Sequence, residues 1–406
     1  MKFATVGAGP AGLYFSLLMK QADPAHRVVV YERNPRNHVA GWGMGFWGWF
    51  WDDLISCLED SDPTTARRLQ ERAVCWRGQS LTLDGETAAI DGVGYGIHHR
   101  TLVEILTDRA LEVGVEINFD HALTDTDQIR DADVVIASDG VGSVIRGKNA
   151  DQFGTECIRG RNTFVWLGSD KVFEGFTNSF VPTDHGWIWL HGYAIDPGTS
   201  VCIIECAPQT WRGLGLDTLP ATESLRLLES IFGSVLDGRG LLSHGSDTAP
   251  LCWQNFRTIS NRRWWSGNTV LIGDAAHTAH FSIGSGTRLA LRGAAVLAAA
   301  LNADVAPQQA FMAYQRHRHA DVVATQRDAC FSSRWLEDVD RYIGKSAEEF
   351  FTLYRARRDP LVAQIPTALY YRLYSVAERN PLLRRLKAQV GPRARRRYGQ
   401  LVRTSR

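Results

Sequence analysis

The sequence predicts an α/β protein in which a parallel, doubly wound sheet is interrupted by a mostly antiparallel sheet and followed by helices. Three observations lead to this prediction. Short apolar strands occur at three widely separated places, and a glycine-rich turn follows each of them. Between the second and third of these strands, the pattern changes to alternating, aromatic-rich strands. From residue 307 onward the apolar residues mostly follow a helical pattern.

Composition and charge exclude several classes of protein. The chain has 406 residues, of which 44% are hydrophobic and 22% are charged, as in ordinary globular proteins. These values exclude a disordered chain, a fibre and a disulfide-rich miniprotein. Forty-five basic residues against forty-four acidic ones give a net charge of +1, so no overall field favours a nucleic-acid partner.

Cysteine usage and hydropathy predict a cytoplasmic location without a membrane span. The seven cysteines include no C-x-x-C pair, which argues against a disulfide framework or a zinc site, so no metal is expected. The longest purely apolar stretch in the C-terminal half, Ala294 to Leu301, has eight residues and is too short to cross a bilayer. The oligomeric state stays open.

The first motif is a strand, a glycine turn, a helix and a second strand within about thirty residues. The predicted strands are 3–6 and 27–31, and the helix is 13–20. Gly7 permits a tight turn, Gly9 lets a diphosphate approach the backbone, and Gly12 allows close packing of helix on sheet. With Pro10 and Ala11, these residues predict a Rossmann-like dinucleotide site at a helix N-terminus.

An acidic residue stands where a ribose would lie. Glu32 follows the second strand, twenty residues after Gly12, and a carboxylate there accepts hydrogen bonds from ribose hydroxyls. Its neighbour Arg33 is assigned to the same site. The motif therefore predicts a bound ADP moiety, belonging to FAD or to NAD.

Two later turns extend the predicted site. Asp139-Gly140 and Arg146 follow the strand 133–137, and Gly273-Asp274 follows the strand 269–272. Because parallel strands present ligand-binding groups at their carboxyl ends, these turns predict one long dinucleotide lying across the sheet. The second turn continues through further candidate cofactor-binding residues: Ser282, Gly284, Gly286 and Thr287.

Together these three segments resemble the single-component FAD-dependent aromatic hydroxylases, the group A flavoprotein monooxygenases. Arg100, at the start of a predicted helix, matches the flavin-contacting arginine of that family. The segment 273–287 and the opening 9–15 resemble the salicylyl-CoA hydroxylase branch. Residues 41–43 and 161–166 are similar to the hydroxylases of the violacein pathway.

The resemblance implies an FAD cofactor and NADH or NADPH as co-substrate. By it, Glu32 holds the adenosine ribose, Arg100 and Asp274 hold the flavin side, and Trp42 and Gly43 border the cofactor. The implied reaction, in secondary metabolism, is hydroxylation or epoxidation by O2, through a flavin hydroperoxide, of a bulky electron-rich aromatic compound such as an indole or a polycycle. Hydroxylation of an aromatic acyl-CoA thioester is the alternative.

An aromatic cavity would exclude water and bind such a substrate. Tryptophans concentrate in a predicted glycine-rich loop, 41–51, and on the predicted antiparallel strands. His280 and His191 are the candidate acid–base residues, because histidine exchanges protons near neutral pH. The candidate substrate-binding residues are Trp47, Trp166, Trp187, Trp189 and Phe281.

Two other functions are weaker. Trp187-x-Trp189 superficially resembles a flavin-halogenase segment, but Leu190 and His191 follow in place of Ile-Pro, and no lysine motif for hypohalous acid is evident. A non-catalytic flavin-binding protein is the third possibility, and a complete dinucleotide site argues against it.

The predicted domain organisation is discontinuous. An FAD-binding domain comprises 1–73, 96–160 and 255–330, and an inserted β-rich substrate domain comprises 74–95 and 161–254. A C-terminal helical region, 331–406, ends in a basic tail, with ten Lys or Arg and no acidic residue after Glu378. A solvated basic face is the expected role of that tail.

Overall fold

The computed structural model describes residues 1–38, 41–123, 126–244, 248–359 and 371. Within them lie fifteen strands: β1 (Lys2–Val6), β2 (Arg27–Tyr31), β3 (Gly43–Trp47), β4 (Val74–Leu83), β5 (Glu86–His98), β6 (Glu116–Asn118), β7 (Val134–Ala137), β8 (Thr155–Ser169), β9 (Phe176–Thr183), β10 (Gly186–Ala194), β11 (Ser200–Cys206), β12 (Leu241–Leu242), β13 (Gln254–Asn261), β14 (Trp265–Ser266) and β15 (Thr269–Leu271).

The same described residues form twelve α-helices: α1 (Pro10–Ala22), α2 (Gly48–Ser61), α3 (Pro63–Arg72), α4 (His99–Glu112), α5 (Val144–Lys148), α6 (Ala150–Phe153), α7 (Pro208–Gly213), α8 (Ala221–Ile231), α9 (Gly233–Leu236), α10 (Gly286–Leu301), α11 (Pro307–Glu337) and α12 (Ala347–Ala356). Short 3₁₀ turns occupy Gly273–Ala275 and Phe281–Ile283.

The first sheet has the strand order β14-β15-β7-β1-β2-β6, and all pairs except β14–β15 are parallel. Strands β15, β7, β1 and β2 are consecutive neighbours. Their carboxyl ends therefore lie side by side at one edge of the sheet, which brings together turns that are more than 130 residues apart in the chain. The predicted mixed α/β class is confirmed.

Alternation along the parallel strands gives this sheet two apolar faces. Phe3 joins a core with helices α1, α2, α4, α10 and α11, whereas Ala4 and Val6 join a smaller cluster on the other face. Because both faces are covered, strands such as β2 and β7 are nearly continuous apolar runs, as is usual for buried parallel strands.

The second sheet has the strand order β12-β8-β11-β10-β9-β4-β5-β3, and β13 also pairs with β8. Its pairs are antiparallel except β4 with β9. Val165 and Leu167 point to a core shared with α8 and α9, whereas the alternating Phe164 and Trp166 point to an aromatic cluster on the opposite face.

The prediction of a loop at residues 41–51 is wrong, because this segment forms β3 and the first turn of α2. The glycines have a packing role here. A Cβ on Gly43 would lie 2.7 Å from Ile195, and one on Gly45 would lie 2.9 Å from the Tyr193 ring. Strand β3 pairs with β5, so glycine lets it pack closely on large side chains.

Sheet membership also crosses the predicted domain ranges. Strand β3, the start of β8 and nearly all of β13 hydrogen bond in the second sheet, although they fall in ranges assigned to the FAD-binding domain. The domain boundaries themselves remain a prediction. The chain divides into two compact units, 1–337 and 338–406.

The second unit is described only through residue 359 and at residue 371. It contains α12, whose N-cap residue Ser346 accepts a hydrogen bond from the Glu349 backbone N–H. The predicted basic tail lies outside the described residues. None of the helices within the described residues combines the length and the apolar character needed to cross a membrane.

Candidate active site

The glycine turn between β1 and α1 has the close packing that its spacing predicts. Gly7 has a φ of +98°, and a Cβ there would lie 2.7 Å from the Ser138 carbonyl oxygen. A Cβ on Gly12 would lie 2.3 Å from both the Gly7 carbonyl oxygen and Ser138 Oγ. Ser138 Oγ in turn donates to the carbonyl oxygens of Val6 and Gly7. The turn is therefore fastened to the end of β7.

Glu32 is anchored beside this turn. Its Oε2 accepts a hydrogen bond of 2.7 Å from the Ala8 backbone N–H, and its Oε1 accepts from the Asn34 backbone N–H at 2.9 Å and from Asn34 Nδ2 at 2.7 Å. These bonds fix the carboxylate at the end of β2, next to the N-terminus of α1. The following residue, Arg33, is exposed.

Helices α1 and α10 have no side-chain cap at their N-termini. Helix α1 begins after Gly9 and helix α10 begins after Ser285, and in neither does the N-cap side chain bond a backbone N–H. A Cβ on Gly286 would meet no protein atom within 4 Å, and one on Gly9 would meet only the Ser138 carbonyl oxygen at 4.0 Å. The positive end of each dipole thus faces open space that suits a phosphate or another electron-rich group.

Asp139 and Arg146 organise the turn that follows β7. Asp139 Oδ2 accepts from the backbone N–H groups of Val144 and Ile145, whereas its buried Oδ1 has no hydrogen-bond partner among the described residues. Arg146 is buried, and its guanidinium donates to the carbonyl oxygens of Val141 at 2.7 Å and Ala275 at 3.0 Å. Arg146 therefore joins the turn after β7 to the turn after β15. Gly140, in the turn after β7, has a φ of +81°.

The Asp274 side chain reaches solvent, although many protein atoms surround it. Its side chain is exposed to solvent, yet surrounding protein atoms penalise its charge and raise the pKa of this carboxyl to about 6, with Arg146 opposing the shift. The preceding Gly273 has a φ of +57° and packs against Ala11 of helix α1.

The turn before α10 is held by several short contacts. Gly284 has a φ of +60°, and a Cβ there would lie 3.1 Å from the Gly45 carbonyl oxygen. Thr287 Oγ1 donates to Met44 Sδ at 3.1 Å, and Ser282 Oγ lies 2.7 Å from Ser332 Oγ. The turn is thereby fixed to β3 on one side and to α11 on the other.

Arg100 lies where the resemblance expects it, at the start of α4, but its side chain is exposed. Its Nε donates to Glu104 Oε1 at 2.7 Å on the same helix. Trp42 is buried and stacks on His244, with ring centroids 3.9 Å apart. The Trp42 ring also packs on Gly168, because a Cβ added to Gly168 would lie 2.4 Å from a ring carbon of Trp42.

Phe281 connects the turn before α10 to the aromatic face of the second sheet. Its ring centroid lies 4.7 Å from Phe164, 6.1 Å from Trp166, 6.5 Å from His191 and 4.2 Å from His280. The structure therefore brings together two of the predicted substrate-binding residues and both candidate acid–base histidines.

The remaining predicted aromatic residues lie further along the same sheet. Trp47 packs edge-on against Trp76 at 4.9 Å, and Trp189 stacks on Phe180 at 5.6 Å. Trp187, Trp189 and His191 alternate along β10 and so share one face, as their spacing predicts.

Three polar residues of this face, Asn178, Asn162 and Glu205, were missed by the sequence reasoning. Asn178 Oδ1 lies 2.9 Å from His191 Nδ1, and Asn162 Nδ2 donates to Glu205 Oε1 at 2.8 Å. Glu205 is almost fully buried. The sequence offered one signal for this group, which is Glu205 within the otherwise apolar run 201–206. A carboxylate that is buried in such a strand usually has a specific partner.

Solved structures share the fold of this chain. The tetrameric form of 2-methyl-3-hydroxypyridine-5-carboxylic acid oxygenase matches with a TM-score of 0.64 and 16% identity, over 86% of this chain and 95% of that one. PqsL of Pseudomonas aeruginosa, in complex with 2-aminobenzoylacetate, matches with a TM-score of 0.64 and 18% identity, over 87% of this chain and 99% of that one.

Curated relatives are closer in sequence. Salicyloyl-CoA 5-hydroxylase of a Streptomyces species is 34% identical over 84% of this chain, and the match spans 66% of that relative's length. The 3-hydroxy-4-methyl-anthranilyl-(aryl-carrier protein) 5-monooxygenase of Streptosporangium sibiricum is 33% identical over 83% of this chain and 89% of the relative. Protodeoxyviolaceinate monooxygenase of Chromobacterium violaceum is 29% identical over 93% of this chain and 100% of the relative.

No protein-family model matches the sequence. The identity to the carrier-protein monooxygenase, over most of both chains, nevertheless establishes the family. The chain belongs to the FAD-dependent aromatic hydroxylases, the flavoprotein monooxygenases, and the predicted resemblance is confirmed.

Proposed function

We propose that this enzyme binds FAD and uses NADH or NADPH and O2 to hydroxylate an electron-rich aromatic substrate. The observation that carries the proposal is the set of groups that follow the parallel strands: the uncapped N-termini of α1 and α10, the anchored Glu32 carboxylate and the exposed Asp274. In balanced form, substrate, O2, NAD(P)H and a proton give hydroxylated substrate, water and NAD(P)⁺.

Each of these groups fits one part of an extended dinucleotide. Glu32 offers carboxylate oxygens to ribose hydroxyls, and the N-terminus of α1 offers N–H groups to a diphosphate. Asp274 suits the hydroxyls of a ribityl chain, and the N-terminus of α10 suits the electron-rich end of a flavin ring. When bound, FAD would supply the redox chemistry, and the protein would supply orientation and exclusion of water.

The substrate in this proposal is an aryl group carried as a thioester on coenzyme A or on a carrier protein. The support is that the two relatives above 30% identity are named for such substrates. A free indolic acid is the second candidate, supported by the violacein-pathway relative, which aligns along nearly the whole chain. The aromatic face around Phe281 fits the ring in either case.

The proposed FAD-binding portion comprises the parallel sheet with its helices, and the proposed substrate portion comprises the second sheet with α7 to α9. Strand β3 and strand β13 then belong to the substrate portion by their pairing. The aromatic face is the side on which substrate would meet the turn before α10.

The first experiment measures cofactor binding with a matched pair of variants. Gly286 and Gly233 both begin a helix, and a Cβ on either would meet no protein atom within 4 Å. Gly286→Val should fold normally but bind FAD at least about tenfold more weakly, whereas Gly233→Val should bind it as the unaltered protein does. A folded chain that stays colourless with excess FAD would refute the proposal.

The second experiment identifies the substrate class. The FAD-loaded enzyme is mixed with NADH or NADPH and with salicyloyl-CoA, free salicylate or indole-3-carboxylate, and products are analysed by mass spectrometry. A mass gain of one oxygen atom with the thioester only would support the carrier-linked substrate. Turnover of the indole acid only would support the second candidate, and a chloride-dependent mass gain would indicate a halogenase.

A further inference from the structure

We propose that His191 accepts the proton of the substrate's ring O–H or N–H, and that His280 faces the same region as a hydrogen-bond donor. This inference rests on the proposed function, because it concerns the acid–base chemistry of the same site. The evidence is a set of hydrogen bonds that determine, for each histidine, which of the two ring nitrogens is protonated.

The tautomer of His191 is fixed by a chain of three groups. Asn178 Nδ2 donates to the Ser80 carbonyl oxygen at 2.9 Å, and a carbonyl can only accept. The amide of Asn178 is thereby oriented with its Oδ1 toward His191 Nδ1, 2.9 Å away. Since Oδ1 can only accept, Nδ1 carries the hydrogen and Nε2 carries the lone pair.

The tautomer of His280 is the opposite one. The Ser282 backbone N–H donates to His280 Nδ1 at 3.3 Å, in the N-cap position of the 3₁₀ turn Phe281–Ile283. A backbone N–H can only donate, so Nδ1 of His280 is the acceptor and Nε2 bears the hydrogen. Ser282 Oγ, 2.9 Å from Nδ1, completes this support.

The surroundings of His191 suit a base. Glu205 stands on the neighbouring strand β11 and on the same face of the sheet, because Ile203 is paired with His191 and Glu205 lies two residues further on. A buried carboxylate at that position stabilises an imidazolium once His191 has taken a proton. Among the described residues, Tyr193 on the same strand and His280 across Phe281 are further titratable groups near His191.

The proton transfer is balanced without another reactant. The substrate O–H or N–H bond breaks as the Nε2–H bond of His191 forms, and the electron pair left on the substrate increases the electron density of the ring. The proton returns to the product heteroatom, while the proton displaced from the ring carbon leaves to solvent.

The tautomers are tested directly by nitrogen NMR on protein labelled with ¹⁵N-histidine, with and without FAD. His191→Gln and His280→Asn identify the signals by their loss. The expected result is a protonated Nδ1 and a lone-pair Nε2 for His191, with the reverse for His280. A lone pair on Nδ1 of His191 overturns the inference, and this outcome is independent of whether the enzyme hydroxylates anything.

A kinetic test uses the active substrate from the screen above. His191→Gln should lower kcat about 10²-fold at neutral pH, with KM little changed, since general-base catalysis contributes about this much. For a phenolic substrate, the rate should recover as pH approaches about 10, where solvent ionises the phenol itself. His280→Asn should show no alkaline recovery, and His317→Asn, an exposed site on α11, should match the unaltered enzyme. An unchanged pH profile for His191→Gln would also overturn the inference.

Discussion

The Arg146 guanidinium donates from Nη1 to the Ala275 carbonyl oxygen at 3.0 Å and so joins two turns that are more than 120 residues apart in sequence. Its Nη2 holds the Val141 carbonyl oxygen of its own turn at 2.7 Å. A motif arginine that resemblance assigns to cofactor contact is thus, in this structure, a clamp within the protein. Its effect on the cofactor would be indirect, through the positions of Asp139 and Asp274.

Arg146→Met should lower the free energy of unfolding by about 3 kcal/mol, because hydrogen bonds from a charged donor are lost and the carbonyls of Ala275, which is buried, and Val141, which is partly buried, lose a partner. FAD affinity should fall with it. Urea unfolding and flavin fluorescence titration measure the two effects. Arg159→Met, at an exposed position on β8, is the control and should change neither quantity.

Gly12→Ala should destabilise the fold by about 3 kcal/mol or more, since the new methyl group would lie 2.3 Å from the Gly7 carbonyl oxygen and from Ser138 Oγ. Thermal unfolding followed by circular dichroism measures this loss. Gly142→Ala introduces the same methyl group where no atom lies within 4 Å, so its melting temperature should stay near that of the unaltered protein. Equal effects of the two substitutions would contradict the packing argument.

Asp274 should make stability depend on pH between about 4 and about 6. Its pKa in the folded chain is raised to about 6, so the folded state holds this proton over a range in which the unfolded chain has lost it. Its contribution to stability is therefore present at low pH and is lost as pH rises through about 6. In cofactor-free protein, urea unfolding of Asp274→Asn should lack this decline. A parallel pH dependence in both proteins would show that Asp274 does not titrate in that range.

Phe281→Ala should uncouple NAD(P)H oxidation from hydroxylation, because the ring that connects the turn before α10 to Phe164 and Trp166 is removed and water gains access. Peroxide release per NAD(P)H consumed should rise several-fold, with FAD content unchanged. Phe351→Ala, in the second compact unit, is the control for loss of a buried aromatic ring elsewhere. Coupling that stays high in Phe281→Ala would remove this residue from the site.

Short sequence motifs predicted those features of the candidate site that depend on residues close together in the chain. The spacing of Gly7, Gly9 and Gly12 predicted the turn, because Gly7 has a φ of +98° and its carbonyl oxygen leaves no space for a Cβ at Gly12. Helix α1 begins at Pro10, three residues before the predicted start at residue 13. The position of Glu32 directly after β2 follows from the same motif, and its contact with a ribose stays a prediction. The Gly-rich segment at 43–47 misled the prediction, since its glycines serve contact with distant side chains rather than a turn.

The sequence by itself determined the α/β class, the glycine turns and the family, all of which follow from residue spacing within short segments. Only the tertiary structure decided that Arg146 clamps two turns, that β3 joins the second sheet, and that Asn178 and Ser282 give the two histidines opposite tautomers. These features depend on partners that folding brings together from distant strands, and hydrogen-bond direction is set by the partner's chemistry rather than by sequence spacing.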